Sequence, residues 1–237
     1  MAKSFLALAA AALALGALPS RADVVVTWTG TVFDGNDPAD YFGVGPNANP
    51  LGNLQGQAFT ARFQIDPTVG SVISTPDFLD VRGGTFTGAF PSPVISATLT
   101  INGVTFSFGS NYFGGYQRDA TPGRSGIYTE VNQQPTPSSP FDILVLSEFI
   151  PDNSIPYGGI GESLTHTIAG GGFGSFQAFS PGTSTLLFQG HFTRTLVTIG
   201  PSSNGGGPEV PEPATGVLTL AAAGAALLLR RRGQRPI

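Results

Sequence analysis

The residues in this chain that could do chemistry are few. Two histidines, His166 and His191, each fall inside a strand-like stretch, and there is no cysteine. A zinc site needs three or four ligands, usually at short local spacing, and neither histidine has such neighbours. Both read as wetted or hydrogen-bonded strand residues. The absence of cysteine removes disulfides, thiolate metal sites and thiol nucleophiles. Gly123-Arg124-Ser125-Gly126 is one residue short of a serine-hydrolase elbow, and the glycines of 170–174 lack dinucleotide-binding spacing. Asp142 and Glu148 share one face of an expected strand. Six residues at about 3.3 Å each separate them by roughly 20 Å, too far for either glycosidase geometry. No catalytic residue is assigned, and the chain is read as a non-enzyme.

Binding chemistry has two candidates. Asp34, Asn36, Asp37 and Asp40 form the densest oxygen-ligand cluster, and calcium takes several such ligands from a flexible loop. The EF-hand pattern fails, because Pro38 occupies its fifth position, Ala39 replaces its glycine and the distal glutamate is missing. A strand-end turn is the plainer reading, with calcium the one cofactor left to consider. Tyr112, Phe113 and Tyr116 are expected on a loop, where exposed rings would stack on sugars. Threonines 27, 29, 31, 98, 100 and 105 fall on alternating positions, a pattern that can order water but also suits any wetted strand face.

Charge narrows the partners. Residues 23–200 carry five arginines and no lysine against thirteen carboxylates, a net charge of −8 compared with −4 for the whole chain. So acidic a segment lacks the basic footprint that nucleic acid or anionic lipid requires.

The elements that must position these residues are strands. Ile95–Ile101 and Val104–Phe108 alternate on either side of Asn102-Gly103, which predicts a two-residue hairpin turn with both turn residues at positive φ. The register follows: Ile101, Leu99 and Ala97 oppose Val104, Phe106 and Phe108 on one face, and Thr100 and Thr98 oppose Thr105 and Ser107 on the other. Residues 24–32 and 58–66 alternate similarly. Residues 141–149 are apolar at most positions and predict a central strand. The stretch 183–199 is long, with Gly190 an expected bulge or bend. Many short strands, 33 glycines and 20 prolines predict an all-β domain, a β-sandwich or jelly-roll. Eighteen phenylalanines argue for a packed core. Long loops are expected at 34–57 and 109–140.

The ends differ from the middle. Residues 1–22 combine Lys3, an apolar run from Phe5 to Leu18, and small residues at Ser20 and Ala22, the parts of a secretory signal cleaved between Ala22 and Asp23. The β domain is expected over 23–199, a Gly/Pro/Ser linker over 200–209 and a tail over 210–237. That tail holds Pro211, Glu212 and Pro213, an uncharged run from Ala214 to Leu229, and then Arg230, Arg231 and Arg232. A helix over about 214–229 would reach about 24 Å, slightly short of the roughly 30 Å hydrocarbon core. Arginines that snorkel and local thinning close the gap, and the positive-inside rule keeps them cytoplasmic.

In its order and terminal position the Pro-Glu-Pro, apolar helix and Arg run resembles the PEP-CTERM sorting domain of Gram-negative bacteria, also catalogued as an ice-binding protein C-terminal domain. The resemblance covers about 27 residues. It implies processing by an exosortase, a transient inner-membrane precursor, and release to the cell surface or the extracellular matrix. Together these readings give an exported structural or adhesive matrix protein. A carbohydrate-binding module for exopolysaccharide is the alternative, and a polysaccharide hydrolase stands third.

Overall fold

The computed structural model describes residues 23–46, 52–84, 89–109, 112–133, 142–150, 155, 163–168, 173–180 and 185–202. All of them belong to the first of two units, Met1–Ser202. The expected signal segment including Ala22, most of the linker, and the tail with Pro211, Glu212, Pro213 and Arg230–Arg232 lie outside the described residues. Among the described residues no helix is long and apolar enough to cross a membrane.

The described chain is all β. Its strands are β1 (Val24–Asn36), β2 (Ala58–Ile65), β3 (Ser71–Thr75), β4 (Phe78–Gly83), β5 (Val94–Ile101) and β6 (Val104–Phe108), followed by β7 (Phe113–Asp119), β8 (Ser125–Asn132), β9 (Ile143–Ile150), β10 (Leu164–Thr167), β11 (Gly174–Phe179) and β12 (Leu186–Pro201). They form one antiparallel sheet in the order β3-β4-β7-β8-β9-β11-β12-β1-β2-β5-β6, with β10 also on β12.

The sheet curls so that its two halves share a core. Trp28 on β1 is fully buried, and its Nε1 donates to Thr129 Oγ1 on β8 at 2.9 Å. These strands are four steps apart in the sheet order, so the bond spans the interior rather than a ladder. At the other side of the curl Val94, which opens β5, lies against β7: a Cβ on Gly114 would stand 2.6 Å from Val94 Cγ2. The alternating residues Val24, Val26, Trp28, Ala61, Phe63, Leu99 and Ile101 point inward and are buried, as strand periodicity requires. Phe59, Phe192 and Phe176 continue the core as a stack, with centroids 4.0 Å and 4.6 Å apart.

The hairpin forms as its sequence predicts. Asn102 and Gly103 have φ of 50° and 75°, and the five pairs run from Ile101↔Val104 to Ala97↔Phe108. Thr100 and Thr105 join their hydroxyls at 2.8 Å. The expected central strand is also present, as β9 between β8 and β11.

Three expectations need correction. The region 109–140 is not mainly loop: β7 and β8 occupy much of it, and nearly every residue of both is buried. Strands buried on both faces lose the alternation that marks a half-wetted strand. Likewise 34–36 belongs to β1. Gly190 is not a bulge, because it pairs regularly with Gly35. A Cβ there would stand 2.3 Å from Asp34 O and 2.8 Å from Phe176 Cζ, so the glycine makes room for the ring beneath it. Among the described residues the register shifts lie instead where Phe33 of β1, Ile95 of β5, and Leu187 and Thr195 of β12 are each the extra residue.

Candidate functional site

The bulge in β1 builds the site. Val32 points into the core opposite Phe192, and an unbulged strand would turn Asp34 inward as well. The extra residue, Phe33, is displaced outward, and Asp34 comes opposite His191 on the outer face. Asp34 Oδ1 and His191 Nδ1 stand 2.7 Å apart. A carboxylate only accepts, so Nδ1 carries the proton. On the far side of β12, His191 is paired with Ser175 of β11. Asp34, His191 and Ser175 thus form one row across three strands. The neighbouring row on the same face is Asn36, Gln189 and Gln177.

These six residues line an open groove of about 440 Å³, together with Phe173. Phe173 is 53% exposed, and its ring meets His191 edge-on with centroids 6.5 Å apart. A bare aromatic edge, three carboxamides, a carboxylate and an imidazole are groups that recognise a polar, polyhydroxylated ligand with apolar patches.

The same row runs on across β9, β8, β7 and β4 through Val145, Glu130, Gly115 and Arg82. Glu130 is buried and accepts the Tyr128 hydroxyl. Burial holds its carboxyl above the usual range, against the opposing pull of Tyr128 and Arg82. Burial also pushes the Tyr128 phenol up, and the Glu130 charge adds to this. Arg82 binds Asp80 at 2.8 Å and sits 5.6 Å above the Tyr128 ring.

The sequence-derived candidates do not converge. Asp37 spends its carboxylate on its own turn, accepting from the Tyr41 and Phe42 amides at 2.8 and 2.7 Å, and Asp40 accepts from Gly45 N. Asp34 is turned to His191, and Asn36 lines the groove. Among the described residues no three His, Cys, Asp or Glu side chains are grouped to hold a metal ion. The aromatic trio is also corrected: Phe113 and Tyr116 are buried in β7 at 9% and 2% exposure, so neither presents a ring to a sugar. Tyr112 is half-buried and donates to Asp142 Oδ2 at 2.8 Å. Asp142 accepts from Phe179 N as well, and burial raises its carboxyl despite both bonds. Glu148 faces the interior and is fully buried. His166 is on β10, opposite Val197. Asp23 is described, and its carboxylate accepts from Gln64 Nε2.

The threonines do assemble. Rows Thr198-Thr27-Arg62-Thr98 and Thr29-Thr60-Thr100-Thr105 cross the outer face of β12, β1, β2, β5 and β6. Arg62 interrupts them, and the β1 bulge adds to the twist of strands. Their side chains are partly to fully exposed, as on any wetted strand face.

Sequence reasoning missed Ser175, Gln177, Gln189 and Phe173, and it set His191 aside. The signal was a register and a bulge, which only pairing reveals. Comparison with protein-family models, with curated proteins and with solved structures finds no match.

Proposed function

We propose that the chain is an exported protein of the PEP-CTERM class, sorted to the cell surface, whose β domain is a structural or adhesive part of the extracellular matrix. The observation that carries this reading is where the domain's ends meet. Val24 pairs with Pro201, and Ser202 N donates to Asp23 O at 2.7 Å. The residue that would follow signal cleavage and the residue that enters the linker therefore leave from one end of the sheet. The groove lies at the opposite end of β1, 13 residues long, or roughly 40 Å away at strand rise. A domain tethered at one end and polar at the other suits presentation outward. We read the curled sheet as sandwich-like, its halves acting as layers, and the Trp28–Thr129 bond supports this.

The groove favours a second component, binding of a neutral polysaccharide such as exopolysaccharide. Phe173 would stack on a sugar face while Gln177, Gln189 and Asn36 meet its hydroxyls. Nucleic acid is not a partner in this reading, given the acidic domain. Immunolabelling of intact, unpermeabilised cells tests the sorting, with surface-labelled protein expected and exclusively cytosolic protein contradicting it. A pull-down on the cell's own polysaccharide tests the groove. Phe173→Ala is expected to weaken binding about fivefold, from the loss of roughly 1 kcal/mol of stacking. Undiminished binding in that variant would remove the groove from the account.

A further inference from the structure

We propose that Ser175, His191 and Asp34 form a nucleophilic site that hydrolyses small acyl esters. The row has the residue order acyl transfer requires, carboxylate then imidazole then hydroxyl, with the first contact formed and the serine placed alongside by the register. Asp34 lies on the β1 side of His191 and holds Nδ1 at 2.7 Å. The two ring nitrogens point in different directions. With Nδ1 engaged by Asp34 on β1, Nε2 is the ring nitrogen left free to serve β11, where Ser175 is the register partner of His191. Directly opposed residues carry their Cβ atoms about 4.5–5.5 Å apart, so a change of side-chain rotamer brings the hydroxyl to the ring nitrogen, a contact that substrate binding completes. Asp34 fixes the tautomer in which Nε2 is the unprotonated acceptor.

The rest of the groove supplies what such a site needs. Gln177 and Gln189 stand one row away on the same two strands, and their carboxamide N–H groups can meet the oxyanion. Phe173, two residues before Ser175, is an exposed apolar wall for the acyl group.

The steps balance without any further reagent than water. Ser175 Oγ attacks the ester carbonyl carbon and its proton passes to His191 Nε2. The tetrahedral centre collapses, the carbon–alkoxy bond breaks, and the alcohol leaves with the proton from Nε2. Water then attacks the acyl-serine and gives a proton to Nε2. The serine ester bond breaks, Ser175 recovers that proton, and the carboxylic acid departs.

The inference goes beyond saccharide binding and does not rest on it, since ester turnover and probe labelling read Ser175 whether or not the groove retains polysaccharide. The test uses the full-length chain with 4-nitrophenyl acetate and a fluorophosphonate probe, followed by mass spectrometry of the labelled peptide. Label is expected on Ser175, and Ser175→Ala is expected to abolish both label and turnover. His191→Gln should lower the rate by about 10²- to 10⁴-fold, the usual worth of a general base, and Asp34→Asn should lower it similarly. The Asp34–His191 pair is largely exposed, where an ion pair adds little to stability, so these variants fold, and a melting curve verifies it. Label spread over other serines, no label at all, or hydrolysis unchanged in His191→Gln would overturn the proposal.

Discussion

Replacing Trp28 with phenylalanine tests whether the sheet curls as described. The indole is fully buried and its Nε1 donates to Thr129 Oγ1, a side-chain bond that joins β1 to β8 across the core. The substitution removes that bond, worth about 1 kcal/mol net. It also leaves a void of some tens of Å³, which at about 24 cal/mol per Å³ costs about 1 kcal/mol more. The expected loss is about 2–3 kcal/mol. Thr129→Val keeps the shape but strands a buried indole N–H, for about 1–3 kcal/mol. In the double variant no unpaired donor remains, so the losses should sum to about 1 kcal/mol less than the singles predict. Urea unfolding of the four proteins measures this coupling. Additive losses, with coupling below about 0.3 kcal/mol, would mean that β1 and β8 do not meet and that the core is built differently.

Other perturbations read other parts of the structure. Gly190→Ala should cost about 1–3 kcal/mol by overpacking against Asp34 O and Phe176, and it should weaken the groove's ligand binding more than Gly103→Ala, which meets nothing within 4 Å and carries only turn strain of about 1 kcal/mol. Glu130 binds its proton more tightly folded than unfolded, because burial outweighs Tyr128 and Arg82; its contribution is present at acid pH and lost as pH rises beyond the ordinary carboxylate range. Urea midpoints of Glu130→Gln across pH 4–8, a span of about four units around that range, should therefore fall less steeply than those of the parent. Calcium and a chelator should give the same melting temperature, since Asp37 and Asp40 are committed to their own turn amides; stabilisation by calcium would show ligands that this arrangement does not assemble.

What the sequence disclosed, and what it hid, follows from the physics of each segment. The 95–108 hairpin was legible because one face is wetted and Asn102-Gly103 sets the register, so pattern and turn chemistry agree. β9 was legible as a continuous apolar run. β7 and β8 were hidden, since strands buried on both faces carry Gly114, Gly115, Gln117, Arg118 and Glu130 inside them and read as loop. The groove was hidden for another reason. Asp34 and His191 are 157 positions apart and meet only because Phe33 bulges out, while Ser175 joins them through the pairing of β11. Composition gave the all-β class and the acidic character, but domain ends that meet at Val24 and Pro201 were beyond any local pattern.

The most direct test of the account is the mass of the protein recovered from the surface of its own cells. The account predicts a chain that begins at Asp23 and ends near Pro211–Pro213, without Arg230, Arg231 and Arg232. A full-length chain of 237 residues found in the cytosol, with both termini intact, would contradict it.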